Sequence, residues 1–363
     1  MKFVLFSDLH LDSPFQWAQP SLGRKLRLAL RETLDRICRL AVDEGVDALL
    51  CAGDLYEQEN FTPDTAEYLR SSFEKLAPLR VFIAPGNHDW YGPTALYREV
   101  PWSPNVHVFD EARLAAVPLD GQVTLWGAAH RAPANTNGFL QGFHVDGPAL
   151  NLALFHGSEH GSLRQQEEGK VPHAPFRADE IRAAGLRHAF VGHYHQSRDG
   201  RWLTYAGSPQ PLAFGKSSGS ALIIELTDGE IHRTRVDVSS VAFHDIRLDV
   251  SGAASMSEIL QRARDAVAQL QGVARVTVSG RLATVVDLKL DDIRAIPAEL
   301  DGLVVRTKDL IADYDFDALA EEQTVRGQFV RDVRNSDLGD DETQRVLVVG
   351  LRALDGRTDL EPV

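Results

Sequence analysis

The sequence predicts an α/β protein with a second, smaller α+β domain and helices at its C-terminal end. Three observations carry that expectation. From Met1 to about residue 240, short apolar runs alternate with amphipathic stretches, the pattern of a layered α/β domain. Several of those runs are continuous rather than alternating, as strands covered on both faces are. Beyond residue 240 the pattern changes to a few longer strands, one amphipathic stretch and then two helical ones, so the expected domains are 1–240 and 241–363.

The first run, "FVLF", ends in Asp8 and His10. The stretch after it places Leu26, Leu30, Leu34, Ile37 and Ala41 on one helical face and stops at Gly45, which suits a C-cap. "FTPDTAEYLRSSFEKL" offers Thr62 as N-cap with Pro63 at the first helical position. "VDALLCAG", "LRVFIAPG", "NLALFHG", "RHAFVGH", "LTYAGS" and "ALIIEL" read as strands, each closed by glycine or a polar cluster. In the second domain "FHDIRLDV", "VARVTVSG" and "VVDLKL" read as strands and "SMSEILQRARDAVAQLQ" as a helix. "QTVRGQFVRDVRN" and "DDETQRVLVVGLRAL" close the chain as helices, separated by the breaker-rich "SDLGDD". Their apolar stripe, Val325, Phe329 and Val333 followed by Val346, Val349 and Leu354, is expected to pack internally, with a partner face as the alternative.

Composition narrows the class. An apolar fraction of 44% and a charged fraction of 25% are those of a globular protein. No window supplies the ~18 consecutive apolar residues of a membrane span, and Met1-Lys2 runs straight into the first strand, so no membrane association and a cytoplasmic location are expected. Two cysteines, Cys38 and Cys51, make neither a disulfide framework nor a thiolate zinc site. The net charge of −14 argues against a surface that coats nucleic acid, yet bound cations could still give an acidic protein a phosphate site.

The residues that carry chemistry sit at strand ends. "SDLH" presents Asp8 and His10, "CAGDLYE" Asp54, "APGNHDW" Asn87, His88 and Asp89, "ALFHG" His156, and "FVGHYH" His193 and His195. Loops at the carboxyl ends of strands line one crevice in an open α/β sheet, so these segments are expected to converge. Asp8, His10, Asp54, Asn87, His156, His193 and His195 are too many donors for one ion and suit two. Carboxylate, amide and imidazole donors without thiolate fit Mn, Fe or Zn. Two such ions ~3.5–4 Å apart clamp a phosphoryl group and acidify a shared water. A bland reading, turn chemistry and polar capping, covers any one of these segments but not their joint pattern.

In this order "DLH", "GDLYE", "GNHD", "FHG" and "GHYH" resemble the signature motifs of the calcineurin-like metallophosphoesterases, over roughly the first 240 residues. The resemblance implies a four-layer α/β/β/α core, one divalent cation on Asp8, His10 and His195, a second on Asn87, His156 and His193, and Asp54 bridging them. Mn²⁺ is the first expectation, with Fe or Zn as alternatives. It gives His88 the role of a catalytic histidine that binds no metal, and leaves Asp89 either orienting His88 or capping a turn. Further, "SDLHLDSPF" and "YAGSPQPLAFGKSSGSALIIEL" are similar to the SbcD and YhaO type of DNA repair nuclease. That implies a metal-dependent exonuclease with a capping domain, DNA as substrate, docking of an SbcC-like ATPase and a homodimer as further partners. One departure stands out: where such nucleases read GDLFH, this chain has Gly53-Asp54-Leu55-Tyr56-Glu57. Two other functions stay open: hydrolysis of nucleotides or other small phosphoesters, and a mainly architectural subunit of an ATPase complex.

The remaining histidines, His107, His130, His144, His160, His173, His188, His232 and His244, are read as structural, with His160 a neighbour of the site. Arg177, Arg198, Arg201 and Lys216 are candidates for phosphate contacts, and Trp17, Trp90 and Tyr194 for crevice walls.

Overall fold

The apolar runs become the inner strands of two stacked sheets. A computed structural model describes residues 1–134, 136–161, 172–215, 219–296 and 299–357. These divide into two compact units, Met1–Ala242 and Phe243–Val363. Lys216 lies outside the described residues.

The first unit runs β1 (Lys2–Phe6), α1 (Pro20–Asp43), β2 (Ala48–Cys51), α2 (Pro63–Glu74), β3 (Arg80–Ile83), the single turn α3 (Leu96–Glu99) and β4 (Val106–Val108). It continues with β5 (Ala115–Pro118), β6 (Val123–Gly127), β7 (Leu150–His156), α4 (Ala178–Ala183), β8 (His188–Gly192), β9 (Arg198–Asp199), β10 (Leu203–Tyr205), β11 (Ser220–Thr227) and β12 (Glu230–Asp237). One sheet has the order β12-β11-β1-β2-β3-β4 and the other β5-β6-β7-β8-β10-β9. In the first, β1 to β4 are parallel; in the second, β6, β7, β8 and β10 are.

Alternate residues of each strand face the opposite sheet. Phe3 and Leu5 of β1, Leu50 of β2 and Phe82 of β3 meet Leu125 of β6, Leu152 and Leu154 of β7 and Phe190 of β8 in one buried cluster. Each such side chain contributes about 1.5–3 kcal/mol by leaving water. Helix α1 covers the outer face of the first sheet with Leu26, Leu30, Leu34, Ile37 and Ala41, all buried. Gly45 (φ 58°) follows its end, and Thr62 caps α2 by accepting from the N–H of Thr65. On the second sheet, Phe155 and Val191 pack outward against Ile181 and Ala184 at α4. The unit is therefore layered helix, sheet, sheet, helix.

The second unit contains β13 (Phe243–Asp249), α5 (Met256–Val267), β14 (Gly272–Leu282), α6 (Leu290–Arg294) and β15 (Leu300–Ala312), then α7 (Phe316–Glu321), α8 (Val325–Arg334) and α9 (Asp340–Leu354). Its three strands pair in parallel in the order β13-β14-β15. Leu248, Val276, Val278 and Val305 of the sheet enclose Ile259, Ala263 and Val267 of α5 and Ile293 of α6. The expected strand "VVDLKL" does not form, because β14 already has a neighbour on each side. Val286 is buried in a turn instead, and Val285 is exposed. The third strand is β15, whose period is broken by a register shift opposite β14 and by Asp309 at φ 52°. The terminal helices do bury a stripe, but it is Val330, Val333, Leu347, Val348 and Leu351; Val325 and Leu354 are exposed.

Candidate metal centre

Asp8, His10, Asp54, Asn87, His88, Asp89, His156, His193 and His195 all lie at the carboxyl ends of β1, β2, β3, β7 and β8. Both sheets thus contribute. The loops after β1 and β2 are laced together by main-chain bonds, from Asp8 N–H to Gly53 O (2.9 Å), His10 N–H to Asp54 O (3.0 Å) and Leu11 N–H to Leu55 O (3.0 Å). Asp8, His10 and Asp54 hold left-handed φ values of 53°, 52° and 51°. Such residues cost of order 1 kcal/mol or more and persist only where the surroundings dictate them, a pattern that concentrates at functional sites. The carboxylate of Asp8 in turn accepts from the main-chain N–H of His193 at 3.1 Å, tying the two sheets together at this point.

Among the described residues three donor sets result; one is His10, Glu57 and His88, and the other two contain Asp8. Ligand atoms of Asp8, His10 and His195 lie within 4.8 Å of one another, as do those of Asp8, Asp54 and His156. Asp54 stands between them, its Oδ2 3.1 Å from His156 Nε2 and 3.7 Å from His10 Nε2. Nε2 of His10 and Oδ1 of Asn87 are buried without a hydrogen-bond partner, and Nε2 of His156 is buried against Asp54 alone. His193 joins none of these sets; its ring packs on His156 with centroids 5.2 Å apart. His156 Nδ1 faces the carbonyl of Ala52 at 2.8 Å, which leaves Nε2 as the nitrogen turned to Asp54.

The strand ends approach closely because glycines stand there. A Cβ on Gly86 would lie 2.3 Å from Asp54 Oδ1, and one on Gly192 would lie 2.1 Å from Ala52 O and 2.7 Å from His156 Nδ1.

Charge follows from this packing. Burial pushes the Asp54 carboxyl up, but the imidazoles of His156, His88 and His10 hold it well below the usual carboxylate range. Burial lowers His156 and His88, yet Asp54 beside both, and Glu57 beside His88, raise each to about 9. Burial carries His195 down to about 4. Carboxylates that draw protons onto neighbouring imidazoles draw divalent cations in their place, since ligand binding displaces those protons. The buried nitrogens of His156 and His10 that face Asp54, together with the buried amide oxygen of Asn87, are donors that fit two such cations.

Asp89 does not orient His88. Its carboxylate accepts from the main-chain N–H groups of Gly86 (2.6 Å), Leu55 (2.7 Å) and Asp54 (3.1 Å) and from the hydroxyl of Tyr97 (2.6 Å), so it caps the loop and anchors its neighbour. Burial and the charge of Asp54 raise it to about 6. His88 is held instead by Glu57, whose Oε2 lies 2.9 Å from its Nδ1, while Glu57 Oε1 lies 2.8 Å from His10 Nδ1. His130 and His173, expected to be structural, stand against the site. The ring of His130 lies 5.7 Å from that of His156 and its Nε2 faces the carbonyl of His156 at 2.7 Å; the ring of His173 lies 5.4 Å from that of His193. No spacing signal marks either in the sequence. Tyr194 is a core residue rather than a crevice wall, Arg198 pairs with Glu159 at 3.2 Å, and Arg177 with Asp179 at 3.1 Å.

Fold and donors together define a metal-dependent phosphoesterase. Residues 1–197 match the family described as calcineurin-like phosphoesterase, and the chain belongs to that family. It is 25% identical over 292 residues to the uncharacterized metallophosphoesterase YhaO of Bacillus subtilis, covering 75% of this chain and 68% of that one. Among solved structures it resembles TT1561 of Thermus thermophilus (14% identity, TM-score 0.40, 64% of this chain and 98% of that one). It also resembles the phosphoesterase YfcE of E. coli (16% identity, TM-score 0.30, 66% and 100%). These structural likenesses are too remote to bear on activity. Among the described residues no helix is long and apolar enough to cross a membrane.

Proposed function

We propose that the chain is a two-metal phosphodiesterase that degrades DNA from its ends, in the manner of the SbcD and YhaO type of nuclease. The observation that carries the phosphodiesterase reading is Asp54, buried between the two donor sets that contain Asp8, with one oxygen facing both His156 and His10. Asp8, His10 and His195 would hold one ion, Asn87, His156 and His193 the other, with Asp54 shared. When bound, Mn²⁺ or a similar pair of ions supplies Lewis-acid activation of the phosphate and of the attacking water. The chain's own part is positional and protonic. His88 is turned by Glu57 so that Nδ1 is occupied, which leaves Nε2 to meet the substrate, and the Glu57 carboxylate beside it favours the protonated ring. A proton at Nε2 can neutralise a phosphoryl oxygen or pass to the departing alkoxide. DNA as substrate rests on the motif resemblance and on a second unit of sheet and helices, which this reading makes a capping domain. An SbcC-like ATPase and a second copy of the chain are the partners it names, in the cytoplasm.

Glu57, standing where the nucleases carry histidine, favours a second reading: hydrolysis of nucleotides or other small diesters. Labelled single- and double-stranded DNA and bis-p-nitrophenyl phosphate, each assayed with Mn²⁺, separate the two. Stepwise shortening of DNA is expected. Turnover of the small diester with DNA left intact would transfer the assignment to the second reading.

A further inference from the structure

His130 is wholly buried just past the carboxyl end of β6, the parallel neighbour of β7. It makes three bonds to the segments that carry Asn87 and His156. Its main-chain N–H donates to Pro85 O at 3.0 Å, and its carbonyl accepts from the N–H of Tyr91 at 2.7 Å, so it grips both ends of the loop that holds Asn87, His88 and Asp89. Its side chain crosses to the neighbouring strand, where Nε2 lies 2.7 Å from the carbonyl oxygen of His156. We infer that His130 is a positioning residue that fixes the separation of Asn87 and His156, and with it the affinity for the second ion, without itself binding metal. The inference rests on the two-metal reading above.

A carbonyl oxygen only accepts, so the hydrogen of the side-chain bond is on Nε2. Burial favours the neutral ring, which leaves Nδ1 as a bare acceptor, buried and without a hydrogen-bond partner. An orphaned acceptor works against folding, and an apolar residue would fill the space without one. What the imidazole adds is the Nε2–H. The ring is itself held, edge-on to Phe139 with centroids 5.3 Å apart and to His156 at 5.7 Å. His130 belongs to none of the donor sets among the described residues. The two residues it links both offer buried donors: Oδ1 of Asn87 has no hydrogen-bond partner, and Nε2 of His156 faces Asp54. Partners that orient ligand residues typically carry about 10–100-fold in metal affinity or activity.

Substitution tests the side-chain bond alone, because the two main-chain bonds survive any replacement but proline. Leucine keeps bulk and loses the donor. Asparagine is polar, but its amide stops near the place of Nδ1, whereas the amide of glutamine reaches the place of Nε2 and donates to the same carbonyl.

The test compares the full-length wild type with His130→Leu, His130→Asn and His130→Gln. Mn²⁺ binding is measured by calorimetric titration, and turnover of bis-p-nitrophenyl phosphate is followed across Mn²⁺ concentrations, with circular dichroism as the check of folding. Expected are two Mn²⁺ in the wild type and, in His130→Leu, one of the two weakened by about 10–100-fold with the other unchanged. The Mn²⁺ concentration for half-maximal turnover rises by the same factor, while kcat at saturating metal stays near wild type, because His130 touches neither the substrate nor the reacting atoms. His130→Gln restores the weakened ion. His130→Asn does not, and it stands in for His130→Leu if that variant fails to fold. Wild-type affinities in the Leu and Asn variants, in a wild type that binds two ions, overturn the role given to His130 and leave the two-metal reading standing. Equal weakening of both ions, a Gln variant as impaired as the Leu variant, or Leu and Asn variants that both fail to fold also overturn it, since His130 would then serve the fold at large. A wild type that binds fewer than two Mn²⁺ overturns the two-metal reading, and this inference with it.

Discussion

The main-chain N–H of Asp54 donates to the buried carboxylate of Asp89 at 3.1 Å. The residue between the two donor sets that contain Asp8 is thus held from beneath by a second carboxylate, which also accepts from Leu55, Gly86 and Tyr97. Asp89→Ala strands those groups in a dry pocket, and each orphaned partner costs about 1–3 kcal/mol. A loss of at least ~3 kcal/mol in urea unfolding is expected, together with weakened metal binding. A loss below ~1 kcal/mol would show that water or a neighbour replaces the carboxylate.

His88→Ala should separate binding from chemistry. His88 belongs to neither donor set that contains Asp8, so Mn²⁺ stoichiometry is expected to hold while kcat falls by about 10²–10⁴-fold, the usual span for a lost general acid. Unchanged kinetics would remove His88 from the mechanism.

Asp54→Asn should not separate them. The amide retains the shape but loses the charge that faces His156 and His10, so both ions and all turnover are expected to go together in elemental analysis and assay. Retention of two ions with normal affinity would show that Asp54 does not bridge.

Much of this site is legible in the sequence because parallel strands impose the convergence: once Asp8, Asp54, Asn87, His156 and His195 are each read as strand-end residues, topology brings them to one edge. The helix over Leu26 to Ala41 is equally plain, since its stripe is long enough to show a period. What escapes is set by tertiary partners. Asp89 adjoins His88 in sequence, yet its carboxylate turns under the loop because three main-chain N–H groups converge there. His130 and His173 carry no motif and reach the site only by packing against His156 and His193. "VVDLKL" has strand composition but finds both edges of β14 taken.

Stability should depend on pH through His188, away from the metal centre. Its Nε2 lies 2.9 Å from Thr204 Oγ1 and 3.2 Å from Arg233 Nη2, and burial with the neighbouring arginines lowers it to about 3. The unfolded chain takes up this proton first, so the contribution is full above the ordinary histidine value and is lost as pH falls from there toward the folded one. In metal-free protein, His188→Gln should flatten the decline of unfolding free energy between about pH 6 and pH 4 by up to ~1.4 kcal/mol per pH unit. Parallel curves for variant and wild type would contradict this.

The most direct measurement of the whole account is anomalous diffraction from crystals of the full chain soaked in Mn²⁺. Two peaks are expected about 3.5–4 Å apart, one beside Asp8, His10 and His195 and the other beside Asn87, His156 and His193, with Asp54 touching both. A single peak, or none at these side chains in protein that still hydrolyses a phosphodiester, would contradict it.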